Sequence, residues 1–381
     1  MKKTLQLLAG LWLALCGPAY AETGSGTGVG WGALNLPAGV TPSSHDIHDL
    51  HMTILWICVG IGVVVYGILV YSLIHHRKSK GVTPATWHEN TKLEIVWTII
   101  PFLILIAMAV PATKVMIKVY DTSAADMTIK VTGYQWKWRY TYLDEGIDFF
   151  SSLDDKSNEA RQLGSKIDPS TVPHYLLNVN NPLVIPANKK IRILITAADV
   201  LHAWWVPEFG WKKDAIPGFV TDGWIKVDKP GTYRGQCAEL CGRDHGFMPI
   251  VVIVKNEDEY KQWVAEQKAK QVASKADVGK QFTLDELVAK GKEVYAANCA
   301  ACHLPEGEGV PGAFPAIKGS KVALGPLADH VKLVLHGKAA MPGFKDQLSD
   351  VETAAVVTYQ RNGFGNAKGD SIQPADIQAY K

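Results

Sequence analysis

Between Cys237 and Met248 the chain places two thiols, an imidazole and a thioether: Cys237, Cys241, His245 and Met248. A further imidazole, His202, stands upstream at the end of an extended segment, and Glu239 lies between the two cysteines. Thiolate, imidazole and thioether together suit copper electron-transfer centres. A mononuclear blue copper site uses one Cys. Two Cys on one short loop allow both sulfurs to bridge a pair of metals. Such a bridge shares one electron between two coppers, so little geometry changes on transfer. Two other chemistries stay open at this point, a Cys237–Cys241 disulfide and a zinc site. Zinc does not select Met.

A second constellation is Cys299-Ala-Ala-Cys302-His303, the C-x-x-C-H signature of covalent c-type haem attachment. A thioredoxin-like pair would want a βαβ context, which the surrounding pattern lacks. Met341, in Ala340-Met341-Pro342-Gly343-Phe344, is the candidate sixth ligand to the haem iron, opposite His303. A His/Met pair raises the potential, which suits donation to copper. His330 and His336 are rivals, but their helical spacing reads as surface. This segment resembles a class I cytochrome c. The resemblance implies that Gly291 and Tyr295 on its first helix meet Tyr359 on its last.

The elements that must hold these groups follow from patterning. The chain has 381 residues and a net charge of +2, so nothing in its charge asks for nucleic acid. Residues 1–21 read as a signal peptide: Lys2 and Lys3, an apolar run from Leu5 to Leu15, and Ala19-Tyr20-Ala21. Cys16 offers a lipoprotein alternative, weakened by the large Leu15. Residues 22–45 form a Gly/Ser/Thr-rich, flexible periplasmic lead-in. Met52 to Ile74 and Ile95 to Thr113 are uncharged runs, each near the ~20 residues that ~30 Å of hydrocarbon demands. They predict a two-helix transmembrane hairpin over 46–119. Its connection carries Arg77, Lys78, Lys80 and Lys92 against Glu89, which places that loop on the cytoplasmic side. Cys58 lies inside the first run as a small hydrophobe. His45, His48 and His51, like His75 and His76, read as headgroup-level residues. Short alternating strands broken by Pro, Gly, Asn and Asp predict an all-β sandwich or Greek-key barrel over 120–262. A polar linker over 263–281, helical or loosely ordered, and an all-α unit over 282–366 follow, with 367–381 as a C-terminal tail.

The hairpin and β domain resemble subunit II of the haem-copper cytochrome oxidases. The residues that carry this are Leu93 through Pro101 (LEIVWTIIP), Gly133 through Trp138 (GYQWKW) and Asp199-Val200-Leu201-His202. Lys213 through Gly218 (KDAIPG) and Gly235 through Pro249 complete the set. The resemblance implies a cupredoxin fold carrying a dinuclear copper centre, CuA. Cys237 and Cys241 would bridge both coppers. His202 and Met248 would complete one, and His245 with the Glu239 carbonyl the other. The Glu239 carboxylate would bind Mg or Mn at the interface with subunit I. Trp136 would be where electrons enter, although its run with Tyr134, Trp138, Tyr140 and Tyr142 also fits plain strand packing. Glu94 would stand at the mouth of a proton pathway into subunit I.

The order copper domain, linker, cytochrome c resembles the fused subunit II of caa3-type oxidases. That implies a bacterial inner-membrane protein with both cofactor domains in the periplasm, partnered by subunits I and III. A soluble cytochrome c or similar donor would pass electrons to haem c, then CuA, then the haem of subunit I. There oxygen is reduced to water with proton pumping. Three alternatives are a nitrous oxide reductase, a nitric oxide reductase with a CuA subunit, and a copper-delivery or haem-sensor module. The first would need a second, His-rich copper domain. The second shares these motifs. The third has no use for an aromatic run beside a membrane-anchored metal site. The bridging arrangement predicts a seven-line copper hyperfine pattern in the EPR spectrum of the half-reduced pair. A four-line pattern would mean one copper and no bridge.

Overall fold

A computed structural model describes residues 35–37, 39–162 and 164–381. The signal segment 1–21 and most of the lead-in 22–45 lie outside the described residues. Among the described residues the first elements are two long helices, α1 (Pro42–His75) and α2 (Thr91–Tyr120). α1 starts before the expected position 46 because Thr41 and Ser44 form a capping box and Pro42 occupies the first turn. Asn90 caps α2 by accepting from the Leu93 N–H at 3.1 Å. The uncharged stretches of both helices are apolar all round, and their large side chains are exposed, as lipid-facing helices require. At 1.5 Å per residue they extend roughly 51 and 45 Å, beyond the ~30 Å of hydrocarbon.

The excess length reaches the β domain and is tied to it. The Thr41 hydroxyl donates to the Phe209 carbonyl at 3.0 Å. The Trp224 indole donates to the Lys118 carbonyl at 3.1 Å, and Lys118 pairs with Asp46 at 3.1 Å. The start of α1 and the end of α2 therefore share one side with the β domain. The loop carrying Arg77, Lys78 and Lys80 lies at the other end.

Ten strands follow: β1 (Met127–Tyr134), β2 (Lys137–Tyr142), β3 (Ile147–Ser151), β4 (Leu183–Pro186), β5 (Ile191–Ala197), β6 (His202–Trp205), β7 (Lys212–Ala215), β8 (Thr221–Ile225), β9 (Gly231–Cys237) and β10 (Pro249–Lys255). A short helix, α3 (Asp155–Ala160), follows β3. The strands make two five-stranded sheets ordered β3-β2-β1-β5-β8 and β4-β10-β9-β6-β7. Alternation sets the register. Ile129 and Val131 of β1 sit opposite Ile193 and Ile195 of β5, all fully buried. They face Leu183, Ile185, Ile250 and Val252 of the other sheet across one core. Trp138, Tyr140 and Tyr142 of the aromatic run belong to this core.

β10 leads directly into α4 (Glu257–Ala276), so the linker takes the helical of its two expected forms and its helix begins before 263. Its first turns are part of the sandwich. Tyr260 and Val264 are buried in the core, and Trp263 packs on Tyr142 with ring centroids 5.3 Å apart. The polar composition hides an apolar stripe at 260, 263 and 264, which has helical spacing.

The C-terminal unit holds α5 (Leu284–Asn298), α6 (Ala300–His303), α7 (Leu327–His336), α8 (Asp350–Asn362) and α9 (Pro374–Ile377). Capping boxes at Thr283/Glu286 and Ser349/Glu352 start α5 and α8. These helices cross where Gly291 lets backbones touch: a Cβ there would lie 2.1 Å from the Ala355 carbonyl oxygen. The Tyr295 and Tyr359 rings meet at 5.6 Å, as the cytochrome c resemblance implies. Residues 367–381 are packed where a tail was expected. Ile372 and Ile377 are buried in this core, and Asp370 pairs with the buried Arg361 at 2.6 Å.

A chain ending just before Asp277 should retain copper and lose covalent haem. One ending at Asn256 also uncovers the core surface under Tyr260 and Val264, worth ~1.5–3 kcal/mol each. Its copper domain should be cleaved much faster by protease. Equal protease resistance of the two would mean that α4 is no part of the sandwich.

Candidate metal centre

Three strands bring the candidate metal-ligating side chains together. β9 ends on Cys237, β6 begins on His202, and β10 begins just after Met248. β6 pairs with β9 through Trp204 and Cys237. The Cys237 N–H donates to the Met248 carbonyl at 3.0 Å, closing the loop between them. His202, Cys237 and Cys241 are all buried, with ligand atoms within 4.8 Å of one another. The two sulfurs are 3.8 Å apart, well beyond the ~2.05 Å of a disulfide. His245 Nδ1 lies 3.6 Å from Cys241 Sγ, and the Glu239 carbonyl oxygen 3.4 Å from Cys237 Sγ. Met248 is buried beside them. The cysteine contact is the largest influence holding the Cys237 thiol below its ordinary range, and it raises Cys241. Two neighbouring thiolates repel, and cations between them remove that cost. Soft donors, a second imidazole, a thioether and a carbonyl around two sulfurs fit a copper pair.

His202 is oriented from behind. Its Nδ1 faces Cys237 Sγ at 3.9 Å, and its Nε2 bonds Asp199 Oδ1 at 2.9 Å. Asp199 in turn accepts from the Val200 and Gln135 N–H groups, both at 2.7 Å. Carboxylate–His pairs of this kind fix which ring nitrogen meets a metal. Gly133 leaves room for the ring, since a Cβ there would stand 2.8 Å from His202 Cδ2. The site reading of the sequence gave no role to Asp199 or Gly133. The spacing Asp-x-x-His was the available signal for Asp199.

The second constellation lines a cavity of about 760 Å³ with Cys299, Cys302, His303 and Met341 on its wall, a size suited to a cofactor. His303 Nδ1 bonds the Pro315 carbonyl at 2.7 Å. That places the proton on Nδ1 and leaves Nε2 as the free ligand nitrogen. These residues fit a haem attached through Cys299 and Cys302. His330, expected at a surface, is buried on the inner side of α7 and also lines the cavity. Its Nε2 bonds Gln360 Oε1 at 2.7 Å, and burial pushes its pKa down to about 4. His336 bonds the Tyr380 carbonyl at 3.1 Å.

Trp136 lies between β1 and β2 and borders this cavity. Its indole N–H donates to the Cys241 carbonyl at 3.2 Å, and the Gln135 amide donates to the same oxygen at 2.9 Å. One side chain thus bonds the copper-ligand loop and borders the cavity of the second constellation. Glu94 is exposed in the first turn of α2, at the end of the hairpin away from the copper ligands. The Glu239 side chain is half-buried.

Fold and site together define a membrane hairpin that carries a cupredoxin-like copper domain and a cytochrome c domain. Residues 127–255 match the family described as cytochrome c oxidase subunit II, periplasmic domain, and residues 29–115 match its transmembrane domain. Residues 286–359 match cytochrome c oxidase, cbb3-type, subunit III. A probable cytochrome c oxidase subunit 2 of Rickettsia bellii (strain RML369-C) is 40% identical over 226 residues, covering 59% of this chain and 80% of that protein. The cytochrome c oxidase subunit 2 of Cereibacter sphaeroides is 34% identical over 241 residues, 61% of this chain and 80% of its own. The crystal structure of the periplasmic domain of cytochrome oxidase subunit II from Bradyrhizobium japonicum is 42% identical, covers 39% of this chain and 98% of its own, and has a TM-score of 0.34. The chain belongs to the cytochrome c oxidase subunit II family, with a cytochrome c domain fused at its C-terminal side, and is a subunit of an oxidoreductase complex.

Asp199→Ala should loosen copper about 10–100-fold, the usual cost of removing such a carboxylate. Competition with a chelator measures it. Unchanged affinity would mean that something other than Asp199 orients His202.

Proposed function

We propose that this chain is the electron-input subunit of a terminal oxidase. An external donor, a soluble cytochrome c or similar protein, reduces a haem held by Cys299 and Cys302. The electron then reaches a CuA pair and leaves for the haem of subunit I, where oxygen becomes water with proton pumping. The observation that carries this reading is the position of Trp136. It hydrogen-bonds the Cys241 carbonyl and borders the cavity of Cys299, Cys302 and His303. When bound, the haem and the copper pair would each supply a one-electron couple, chemistry that makes and breaks no bond.

The protein's own groups divide the remaining work. Cys237, Cys241, His202, Met248, His245 and the Glu239 carbonyl would hold the copper pair, with the two thiolates shared between the metals. Asp199 holds the His202 ring, and burial of the sulfurs keeps water from the pair. His303, with its Nδ1 tied to Pro315, and Met341 would hold the haem iron. The Glu239 carboxylate contributes to an interfacial Mg or Mn shared with subunit I. Glu94 opens a proton path into subunit I. Its exposed place on the first turn of α2, on the side of the basic loop, supports that role. Subunit III completes the complex in a bacterial inner membrane, with both cofactor domains periplasmic. The ties from the hairpin ends to the β domain support that orientation.

In the assembled oxidase, Trp136→Phe should slow reduction of the copper pair by photoreduced haem roughly tenfold or more. Copper EPR and haem absorption should be unchanged. A variant that transfers at the wild-type rate would remove Trp136 from the path.

A further inference from the structure

The copper domain meets the cytochrome c domain through contacts of one polarity. Lys137 Nζ, at the start of β2, donates to Asn298 Oδ1 at 2.6 Å. Arg243, on the copper-ligand loop two residues after Cys241, donates to the Ala301 carbonyl at 2.6 Å. Asn158 of α3 donates to the Ala296 carbonyl at 3.4 Å. All the donors are on the copper side. The acceptors of these three lie at the end of α5 or within α6, the stretch around Cys299 and Cys302, and a fourth donor, Arg139 of β2, reaches the Asp346 carbonyl at 3.5 Å. The last carbonyls of a helix lack partners within it and carry its negative end, so cations and N–H donors are the groups that complete α5.

Lys137 is the less ordinary member. It is 6% exposed, and among the described residues no carboxylate lies within ion-pair distance. It is held by the Asn298 amide and by two ring faces, Phe150 at 4.6 Å on its own sheet and Phe344 at 5.7 Å on the cytochrome side. Burial lowers its pKa to about 8. A buried ammonium without a counter-ion costs stability, so stability does not explain its place at this seam. Docking does: its neighbours in sequence are Trp136 and Trp138, and its hydrogen-bond partner Asn298 adjoins Cys299.

We infer that Lys137 and Arg243 are positioning residues, a two-point clamp that seats the haem-attachment segment over Trp136 so that transfer within the chain needs no search for a productive pose. The inference rests on the electron-transfer reading above and adds to it the means of alignment. Without the clamp the tethered domain still reaches the copper domain, since the tether sets only an effective concentration, but it spends most of its time misaligned.

The test uses the assembled oxidase with Lys137→Met and Arg243→Gln combined. Haem-to-copper transfer after photoreduction should slow by about tenfold or more, the order expected when reacting groups lose alignment. Amide hydrogen exchange should rise in residues 294–303 and 135–137. Copper EPR and haem absorption should stay as in the wild type. The pair Lys137→Arg and Arg243→Lys should restore most of the rate. Wild-type transfer with unchanged exchange in the Met/Gln protein would overturn the clamp, as would loss of the copper or haem signal, which would make these cations folding elements. If haem in the wild-type oxidase fails to reduce the copper pair at all, the proposed function itself falls, and that result is separable from the other two.

Discussion

Two buried sulfurs 3.8 Å apart set the terms for the rest of this molecule. As thiolates they repel in a medium that screens poorly, and a pair of cations between them converts that repulsion into binding. The fold must hold the sulfurs close before the metal arrives, because no covalent bond does so. The loop from Cys237 to Met248 is therefore closed at its base by a backbone hydrogen bond and stands on paired strands. His202 comes from the neighbouring strand, with its ring aimed by Asp199. The sandwich core under β6, β9 and β10 makes those positions stiff. Close-packed cores resist the small displacements that would part the ligands.

The same rigidity extends outward in two directions. Toward the membrane, helices longer than the bilayer enter the β domain and are hydrogen-bonded there, so the copper domain keeps a set height and orientation. Toward the cytochrome domain, Trp136 and the cations beside it turn one edge of the sandwich into a docking face. α4 links the two units with its first turns inside the sandwich core, so the tether starts from a defined point. Each device reduces the freedom of one group relative to another. That is what electron transfer asks of a protein, since it makes no bonds and depends on distance and small reorganisation.

Much of this was legible because soft ligands and C-x-x-C-H are dense, position-specific signals. Cys237, Cys241, His245 and Met248 announce copper by type and spacing, and Cys299, Cys302 and His303 announce haem. The uncharged runs show the hairpin, and the alternation around Ile129 or Ile193 shows strands. Less legible were features that polar composition concealed. α4 looked like a linker because its outer face is charged, although Tyr260, Trp263 and Val264 anchor it. Residues 367–381 looked like a tail although Ile372 and Ile377 sit in a core. His330 looked like a surface residue because helical spacing does not say which face is inward.

The sequence by itself determined the chemistry: which atoms can bind copper, which can bind haem, and that both belong to a chain with a membrane hairpin. These depend on residue type and on spacings of a few positions, which local geometry preserves. Only the tertiary structure decided which groups act on which. That Asp199 aims His202, that Gly133 clears space for that ring, that Trp136 bonds the Cys241 carbonyl while bordering the other cavity, and that Lys137 is buried at the seam are all consequences of packing between segments distant in sequence. Such contacts depend on strand order and docking angle, and no local pattern encodes them.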